Sequence, residues 1–378
     1  MKKIFLFLVL ILNVFFCINI NAEQSLCSGA KSAILVEAST KKILFEKEKD
    51  AKRAPASMTK IMTLLLIYEE IDNNKISKSD LVVTSDYAKS MGGSQVYLEE
   101  GEKLSVDEML KCICICSAND CAVAMAEHIC GSESKFVEKM NEKAKELGCL
   151  NTHFEDASGL TSVNHYSSSY DMALISCELV NNHPDVLNYT SLKEDYIRKD
   201  SANPFWLVNT NKLLGHLDGL KGLKTGFTSE AMYCISLVME KNDMTLISVV
   251  MGYETSLSRN SESATLLKYG FANYEKVKII EKGTVYAIIN NINFTPEENY
   301  VVSKNDLYII QDKNNPIDYS VDFNYKLNNE NYNSSLGKVK IMDLEGNLLA
   351  EGDLVLKEKV KKNNFFEKIL IIIKKILK

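Results

Sequence analysis

The chain has 378 residues, of which 46% are hydrophobic, and a formal net charge of −6. This apolar content can fill a substantial core, which excludes a disordered protein, and the length allows one large domain with a smaller one. Because acidic residues outnumber lysine and arginine, the composition gives no general reason to expect nucleic-acid binding.

The first 22 residues have the pattern of an export signal. Two lysines follow the initiator methionine, an apolar stretch covers residues 4–20, and Ala22 precedes polar sequence. We expect cleavage after Ala22, and therefore a protein that works outside the cytoplasm. Cys17 is not expected to carry a lipid, because Phe16 before it is too bulky for the lipoprotein cleavage rule. An uncleaved membrane anchor is the alternative.

The ten cysteines, less Cys17, leave nine in the exported chain, an odd number with no repeated spacing. Several lie among Ile, Val, Ala and Met over residues 112–130, where a buried thiol behaves as a small hydrophobe. A zinc site favours paired C-x-x-C units or nearby histidines, and this sequence has neither. We therefore predict packed free thiols rather than disulfides or metal ligands, and no metal ion.

The middle of the chain predicts helices enclosed between strands. Two apolar clusters flank a polar turn at 39–42, which predicts a hairpin over 32–50. An apolar run then follows Pro55, a residue typical of the first turn of a helix. Further helices are predicted over 106–130, 134–149, 169–182 and 261–275, and strands over 223–229, 232–241 and 244–254. This order favours an α+β domain whose antiparallel sheet is covered by helices.

Residues 276–358 predict a small all-β module, because short alternating segments are separated by Asn, Asp and Gly turns. We place the domain boundary near Tyr274, so that the first domain covers 23–275. The tail, 359–378, predicts an amphipathic helix whose apolar residues, Ile371 excepted, lie opposite its lysines. It is too short and too charged to span a bilayer, so we expect it to anchor the protein at the membrane surface. Docking on this chain or on a partner is the alternative.

The segment Ser57-Met58-Thr59-Lys60 places a hydroxyl and an amine three residues apart at a predicted helix start, so that both project from one face. A neutral lysine amine can take the serine proton, and a helix N-terminus together with neighbouring cations favours that neutral form. Four other Ser-x-x-Lys pairs begin at Ser28, Ser39, Ser132 and Ser335. None of them follows a proline at the start of an apolar helix, so Ser57 is the candidate nucleophile.

Two further motifs follow along the chain. The triplet S-A-N at 117–119 has the pattern Ser-x-Asn, which recurs elsewhere in the chain, for example at 162–164 and 201–203, whereas K-T-G at 224–226 occurs once. The three motifs S-x-x-K, S-x-N and K-T-G begin 60 and 107 residues apart. The ordered set is far more specific than any one of its parts.

This set resembles the low-molecular-mass penicillin-binding proteins that are D-alanyl-D-alanine carboxypeptidases of serine peptidase family S11. The resemblance covers nearly the whole chain, through PASMTKIMT, SANDCAVAMAEHICGS, THFEDASGL, HYSSSYDMALIS, NTNKLL, GLKTGFTSEA and LISVVMG. It implies a β-lactamase/transpeptidase-like catalytic domain, followed by the all-β domain and the amphipathic tail. It also implies stem peptides ending in D-Ala-D-Ala as substrates, β-lactam antibiotics as covalent inhibitors, and no metal or organic cofactor.

The resemblance implies a role for the first two motifs. Ser57 would attack the carbonyl of the penultimate D-alanine, with Lys60 as its general base. Ser117 would pass a proton to the leaving amine, and Asn119 would hold the substrate amide. The enzyme would act in the cell-wall space, at the outer face of the cytoplasmic membrane.

The third motif and its neighbours are expected to bind the terminal carboxylate and the oxyanion. Lys224 and Thr225 would bind the carboxylate, with Gly226 allowing close approach. Arg259 matches the additional carboxylate-binding arginine of the family. The backbone N–H groups of the nucleophile and of Phe227 would hold the oxyanion.

Some features depart from this pattern or have more than one interpretation. Met232 stands where the family usually has glycine, and Glu155 lies in a loop without the E-x-x-L-N pattern of class A β-lactamases. We predict that His165 and Asp120 are structural rather than catalytic. The alternatives to a carboxypeptidase are a non-catalytic cell-wall-binding protein, a β-lactamase and a DD-endopeptidase.

Overall fold

The computed structural model describes residues 26–160, 163–327, 332 and 334–377. The predicted export signal lies outside these residues. The chain divides into two compact units, the first ending at Ala272 and the second beginning at Asn273. The boundary expected near Tyr274 lies within two residues of this division.

The described part of the first unit contains nine strands. They are β1 (Ser32–Glu37), β2 (Ile43–Lys47), β3 (Leu81–Val83), β4 (Lys103–Ser105), β5 (Glu194–Ile197), β6 (Phe205–Val208), β7 (Leu220–Thr228), β8 (Met232–Lys241) and β9 (Met244–Tyr253). Five form one antiparallel sheet in the order β2-β1-β9-β8-β7. The predicted hairpin is β1 with β2, and the three predicted strands are β7, β8 and β9. The pairs β3-β4 and β5-β6 form two small separate ladders that the sequence pattern did not predict.

Helices cover both faces of the five-stranded sheet. They are α1 (Lys60–Asp72, after a 3-10 turn at Ala56–Thr59), α2 (Asp86–Lys89), α3 (Val106–Lys111), α4 (Asn119–Cys130), α5 (Glu133–Glu146), α6 (Ser169–Asn182), α7 (Leu187–Thr190) and α8 (Ser256–Asn273). The hydroxyl of Ser32 in β1 donates to Ser169 of α6 at 2.6 Å. In contrast, Gly270 of α8 packs against Leu35. Because side chains alternate along a strand, Ser32 and Leu35 point to opposite faces, which confirms the helix-covered antiparallel sheet.

The single helix predicted over 106–130 is wrong. The chain leaves α3 through a wide, π-helical turn and breaks at Ser117, whose φ of 68° and ψ of 32° are left-handed. A non-glycine residue in this conformation costs about 1–2 kcal/mol, so surrounding contacts must hold it. Its neighbours Ile115 and Ala118 are both fully buried. The break separates Ser117 from the helix that carries Asn119.

The last helix of this unit also differs from its prediction over 261–275. α8 begins five residues earlier, at Ser256. Arg259 therefore lies in its first turn, and the buried side of the helix includes this arginine. The sequence pattern missed the start because the segment before 261 is polar.

The described cysteines are free thiols, and all except Cys116 and Cys130 are buried. Six of them belong to the main hydrophobic core, namely Cys112, Cys114, Cys121, Cys149, Cys177 and Cys234. Burial raises the pKa of the Cys116 thiol to about 12, so its reactive thiolate form is scarce at neutral pH. The prediction of packed thiols is confirmed. The described residues contain no group of three or more His, Cys, Asp or Glu that could hold a metal ion.

The second unit is built from strands, apart from its terminal helix. The strands are β10 (Tyr274–Ile280), β11 (Val285–Asn290), β12 (Phe294–Thr295), β13 (Glu298–Ser303), β14 (Leu307–Asp312), β15 (Tyr319–Tyr325), β16 (Gly337–Asp343), β17 (Leu348–Leu356) and β18 (Lys361–Lys362). Five form a sheet in the order β11-β13-β17-β16-β15, and β10-β14 and β12-β18 form pairs. Val301, Val339, Ile341 and Leu354 are fully buried in a core of its own. The predicted all-β domain is confirmed.

The terminal helix, α9 (Phe365–Ile376), begins six residues after the start of the predicted tail, 359–378. Asn364 caps it: its side chain accepts from the backbone N of Glu367, whose carboxylate accepts from the backbone N of Asn364. None of the residues of α9 is buried. Within the described residues, no helix is long and apolar enough to cross a membrane.

The contact between α8 and the sheet predicts a cost for any side chain at position 270. A Cβ on Gly270 would lie 2.5 Å from Leu246 Cδ1 and 2.8 Å from Leu35 Cδ2. We expect Gly270→Val to lower the free energy of unfolding by about 1–3 kcal/mol in urea denaturation. The control is Lys268→Val on the exposed side of α8, which should stay within about 0.5 kcal/mol of wild type. Equal losses in the two variants would contradict close packing at Gly270.

Candidate active site

A cavity of about 350 Å³ in the first unit joins the three motifs. It is lined by Ser57, Ser94, Ser117, Thr210, Lys212, Thr225, Gly226, Phe227, Tyr233, Ser256, Arg259 and Asn260. The other three predicted site residues, Lys60, Asn119 and Lys224, are buried next to this lining. The charged residues of the lining are Lys212 and Arg259, both cations. The fold thus brings all the predicted site residues together.

Lys60 is the centre of hydrogen bonding in the site. Its Nζ donates to Ser57 Oγ at 3.1 Å, Asn119 Oδ1 at 2.6 Å and the carbonyl O of Ser158 at 2.7 Å. The side chain is completely buried. Burial, and then the positive charge of Lys224, hold the pKa of Lys60 well below its ordinary value. An amine that gives up its proton this readily can act as a general base on the hydroxyl beside it.

The geometry of the nucleophile follows from how α1 begins. The residues Ala56–Thr59 form a 3-10 turn with about three residues per turn, which places the side chains of Ser57 and Lys60 over one another. A Cβ at Gly159, where φ is +86°, would lie only 1.9 Å from the carbonyl O of Ala56. Only glycine permits this approach, and it seats the loop around Gly159 against the turn.

This loop was not predicted to take part in the site. The carboxylate of Asp156 accepts from the backbone N of Ser158 and Gly159, which folds the segment into a tight turn. Thr63 Oγ1 of α1 donates to the carbonyl O of Ala157 at 2.6 Å and fixes the turn in place. The loop then presents the Ser158 carbonyl to the catalytic amine. The sequence signal for it is an Asp two residues before Ser-Gly, a turn pattern.

Ser117 and Asn119 are presented by the break between α3 and α4. The hydroxyl of Ser117 is buried and has no hydrogen-bond partner among the described residues, so it is free to engage a bound group. Asn119 Nδ2 donates to the carbonyl O of Gly92 at 2.7 Å, while its Oδ1 accepts from Lys60. These two contacts fix the orientation of the Asn119 amide.

Strand β7 carries the K-T-G motif close to the nucleophile turn. A Cβ at Gly226 would lie 2.8 Å from the carbonyl O of Pro55, so glycine allows the strand to approach. Lys224 is 1% exposed, and its Nζ donates to the carbonyl O of Thr225 at 3.0 Å. Burial lowers the pKa of Lys224 to about 8. Thr225 Oγ1 donates to Thr210 Oγ1 at 2.7 Å.

Arg259 reaches the cavity from the first turn of α8. It is 5% exposed, and its NH1 donates to the carbonyl O of Cys234 at 3.2 Å. Its Nε and NH2 donate to Asn260 Oδ1 at 3.1 Å and 2.8 Å. The guanidinium carbon lies 5.8 Å from the ring centre of Tyr233, which stacks on Phe227 with ring centres 4.3 Å apart. The cation is therefore fixed in place, beside two aromatic rings.

His165 and Asp120 have structural contacts, as predicted. His165 Nε2 lies 2.8 Å from Thr59 Oγ1, and its Nδ1 accepts from the backbone N of Glu155 at 3.2 Å. Burial lowers the pKa of His165. Asp120 is fully buried and accepts two backbone N–H groups from the segment 96–98. Neither side chain lines the cavity that contains the nucleophile.

Met232 departs from the family pattern without closing the cavity. It is the first residue of β8, where it pairs with Thr228, and its φ is +58°. This is the left-handed region that glycine occupies without strain. Methionine at position 232 therefore costs conformational energy in the backbone, but it removes no reactive group from the site.

Known protein families match both units of the chain. Residues 19–255 match the model described as D-alanyl-D-alanine carboxypeptidase, and residues 274–362 match the C-terminal domain of penicillin-binding protein 5. The chain belongs to the D-alanyl-D-alanine carboxypeptidase family. It is 42% identical over 348 residues to the D-alanyl-D-alanine carboxypeptidase DacF of Bacillus subtilis (strain 168), an alignment that covers 90% of this chain and 88% of the relative.

Solved structures of penicillin-binding proteins have the same fold. Penicillin-binding protein 5 from Haemophilus influenzae superposes with a TM-score of 0.73 and 29% identity, over 88% of this chain and 98% of that one. Penicillin-binding protein D2 from Listeria monocytogenes, in its ampicillin-bound form, superposes with a TM-score of 0.58 and 31% identity, over 64% of this chain and 98% of that one. The chain is thus a serine-type D-Ala-D-Ala carboxypeptidase with the predicted penicillin-binding-protein fold.

The repulsion between the two buried lysines predicts a pH effect. A base at Lys60 acts only when unprotonated, so acylation of the enzyme by penicillin should slow as pH falls through the pKa of Lys60. Removing the charge of Lys224 raises the pKa of Lys60, because that charge disfavours the protonated amine. In Lys224→Met the acid limb of the pH profile of the acylation rate should therefore move to higher pH, even if the maximal rate also changes.

The measurement is the second-order rate of labelling by a fluorescent penicillin across pH. Lys221→Met, on the same strand but outside the lining of the cavity, is the matched control and should leave the acid limb in place. An unmoved limb in Lys224→Met would contradict the coupling between the two lysines.

Proposed function

We propose that the protein removes the terminal D-alanine from peptidoglycan pentapeptide stems through an acyl-enzyme on Ser57. The observation that supports this most directly is the fully buried amine of Lys60, 3.1 Å from the Ser57 hydroxyl. Because burial depresses the pKa of Lys60, this amine accepts the serine proton far more readily than an ordinary lysine with a charged side chain would.

The proposed reaction has two halves. Ser57 Oγ attacks the carbonyl carbon of the penultimate D-alanine, and its proton passes to Lys60. The backbone N–H groups of Ser57 and Phe227 hold the oxyanion, a kind of contact whose loss typically costs about 3 kcal/mol. Ser117 hands a proton to the amine of the departing D-alanine as the C–N bond breaks. Water then attacks the ester, and Ser57 recovers its proton as the shortened stem leaves.

The terminal carboxylate of the stem is expected against Lys224, Thr225 and Arg259. Both cations are buried, and no acidic residue belongs to the lining of this cavity, so an incoming carboxylate meets uncompensated positive charge. Asn119 uses one N–H of its amide on the Gly92 carbonyl. Its second N–H is available for a carbonyl group of the stem.

The same centre is expected to react with β-lactams, the class of the ampicillin that is bound in the structure of penicillin-binding protein D2 from Listeria monocytogenes. A class A β-lactamase needs a glutamate that activates the deacylating water. Here Glu155 is exposed, and the carboxylate of Asp156 is occupied by the backbone of its own turn. We therefore expect a long-lived penicilloyl-enzyme on Ser57 rather than rapid hydrolysis of the antibiotic.

Ser57→Ala is expected to abolish D-alanine release from a peptide ending in D-Ala-D-Ala, together with covalent labelling by penicillin. Removing a nucleophile of this kind lowers kcat by roughly 10⁴-fold or more. Released D-alanine and the fluorescence of the denatured protein band are the two measurements. Ser132→Ala, which removes the serine of another Ser-x-x-Lys pair at the start of α5, should retain both activities.

Each alternative function has its own outcome in this experiment. Unchanged labelling of Ser57→Ala would exclude Ser57 as the nucleophile. Wild-type protein that binds the peptide without releasing D-alanine would support a non-catalytic wall-binding role. Rapid loss of the penicilloyl label would support a β-lactamase, and equally fast cleavage of cross-linked stem dimers would support an endopeptidase.

We also propose that the protein is exported and held at the outer face of the cytoplasmic membrane by α9. Phe366, Leu370 and Ile376 are 75%, 57% and 77% exposed. Lys375 pairs with Glu297, which ties the polar side of the helix to the β-domain. An uncovered apolar side with lysines opposite suits the interface of a bilayer that contains anionic lipid.

Vesicle flotation tests the proposed membrane contact. Ile369→Gln with Ile373→Gln should abolish binding to vesicles with and without anionic lipid, because it removes apolar surface. The matched pair Lys368→Gln with Lys374→Gln should weaken binding to anionic vesicles alone, by about 1 kcal/mol per lysine. Wild-type protein that remains unbound in both lipid mixtures would contradict the anchor.

A further inference from the structure

A second cavity in the first unit lies outside the catalytic residues described above. It has a volume of about 280 Å³ and is lined by Lys52, Arg53, Ala54, Val163, His165, Tyr166, Glu230 and Ala231. Two cations and one acid thus face it. Its charge pattern differs from that of the first cavity, whose lining contains cations without an acid.

The second cavity lies further along strand β7 than the nucleophile. Gly226 packs on the turn that carries Ser57, and β7 then ends at Thr228, just before Glu230 and Ala231 of the second cavity. At about 3.3 Å per residue, the end of the strand lies roughly 7 Å beyond Gly226. On the other wall, Ala54 lines the cavity three residues before the nucleophile.

A peptide that follows β7 would therefore extend towards this cavity with its upstream residues. Under the proposed function, its terminal carboxylate is bound at the Lys224 and Thr225 end of the strand, and its reacting carbonyl is bound at Ser57. The residue before D-Ala-D-Ala then extends past Thr228, at the opposite end from the carboxylate. A long side chain on that residue would then lie nearest to the second cavity.

Arg53 is the anchor of the second cavity. Its Nε is buried, and the side chain has neither a hydrogen bond nor an ion pair among the described residues. The backbone is fixed instead, through hydrogen bonds of 2.8 Å and 2.9 Å with Ser167. Lys52 beside it lies with its Nζ 4.6 Å from the ring centre of Tyr166. A partly buried guanidinium with unused donors can bind a planar anion such as a carboxylate.

We propose that the second cavity binds the side chain of the stem residue immediately before D-Ala-D-Ala, when that side chain ends in both a carboxylate and an ammonium group, as diaminopimelic acid does. Arg53 and Lys52 bind the carboxylate, and the exposed Glu230 faces the ammonium. A lysine at this stem position offers the ammonium alone and leaves Arg53 unpaired. This inference rests on the proposed carboxypeptidase function and adds a preference among stems.

Three N-acetylated tripeptides test the preference. Each ends in D-Ala-D-Ala, and the first residue is diaminopimelate, its side-chain carboxamide or lysine. Wild-type protein should show a kcat/KM for D-alanine release about tenfold higher with the free carboxylate than with the carboxamide, as a charge-assisted hydrogen bond provides. The readout is the ratio of these two kcat/KM values measured with one protein. A loss of reactivity at Ser57 lowers both values equally and therefore does not change the ratio.

Charge-neutral variants identify the groups responsible for the ratio. Arg53→Gln and Lys52→Gln should bring the ratio towards one. Glu230→Gln should preserve it while lowering kcat/KM on all three peptides, since each carries an ammonium group. Lys103→Gln removes an exposed lysine outside both cavities and is the matched control, with the wild-type ratio expected.

The outcomes separate this inference from the function on which it rests. A wild-type ratio near one overturns the second binding site while leaving the carboxypeptidase intact. Failure of the wild-type protein to release D-alanine from every peptide overturns the function itself. If Arg53→Gln does not fold, as judged by the loss of its cooperative melting transition, the ratio of kcat/KM values in Lys52→Gln is the test instead. A wild-type ratio in Lys52→Gln then overturns the proposal.

Discussion

One amine removed from water organises the catalytic unit. The Nζ of Lys60 finds its acceptors on three separate elements, namely the nucleophile turn, the start of α4 and the loop that presents Ser158. Leaving a buried polar group unpaired costs several kcal/mol, so each of these contacts restricts where its element can lie. The burial that disfavours the charge of Lys60 therefore also fixes the position of Ser57.

The two buried lysines of the site do different tasks. Lys60 must be neutral to accept a proton, whereas Lys224 must be charged to hold a carboxylate. Burial lowers the pKa of both, and the charge of Lys224 is a further cause of the low pKa of Lys60. Contacts of Lys224 with a bound carboxylate would favour its charged form. When the environments of two like groups push their pKa values apart, one group can act in its charged form while the other acts as a base.

Motif spacing predicted the chemistry more completely than it predicted local shape. Ser57 with Lys60 is a local pair whose geometry one helical turn determines, so the sequence alone identifies it. The break at Ser117 depends instead on distant backbone partners. Asn119 N donates to the carbonyl O of Ser94 at 2.7 Å, and Thr210 N donates to the carbonyl O of Ile115 at 3.1 Å. Such contacts leave no periodic pattern in an apolar run.

The roles of the Ser158 carbonyl and of the unpaired Arg53 guanidinium could not be predicted from the sequence. The Ser158 carbonyl has no side-chain signature, and only the turn around Asp156 hints at its position. Arg53 stands next to the S-x-x-K motif, yet nothing in its neighbours along the chain shows that its guanidinium lacks a partner. Glu230, on the opposite wall of that cavity, is more than 170 residues away. Tertiary structure alone brings the two together.

The buried position of Lys224 links the enzyme to the acidity of its surroundings. With a pKa of about 8, its ammonium form dominates at neutral pH and is lost as the medium becomes alkaline, whereas an ordinary lysine stays charged to about pH 10. Binding of a substrate carboxylate at Lys224 would then weaken in alkaline medium, and the release of D-alanine with it.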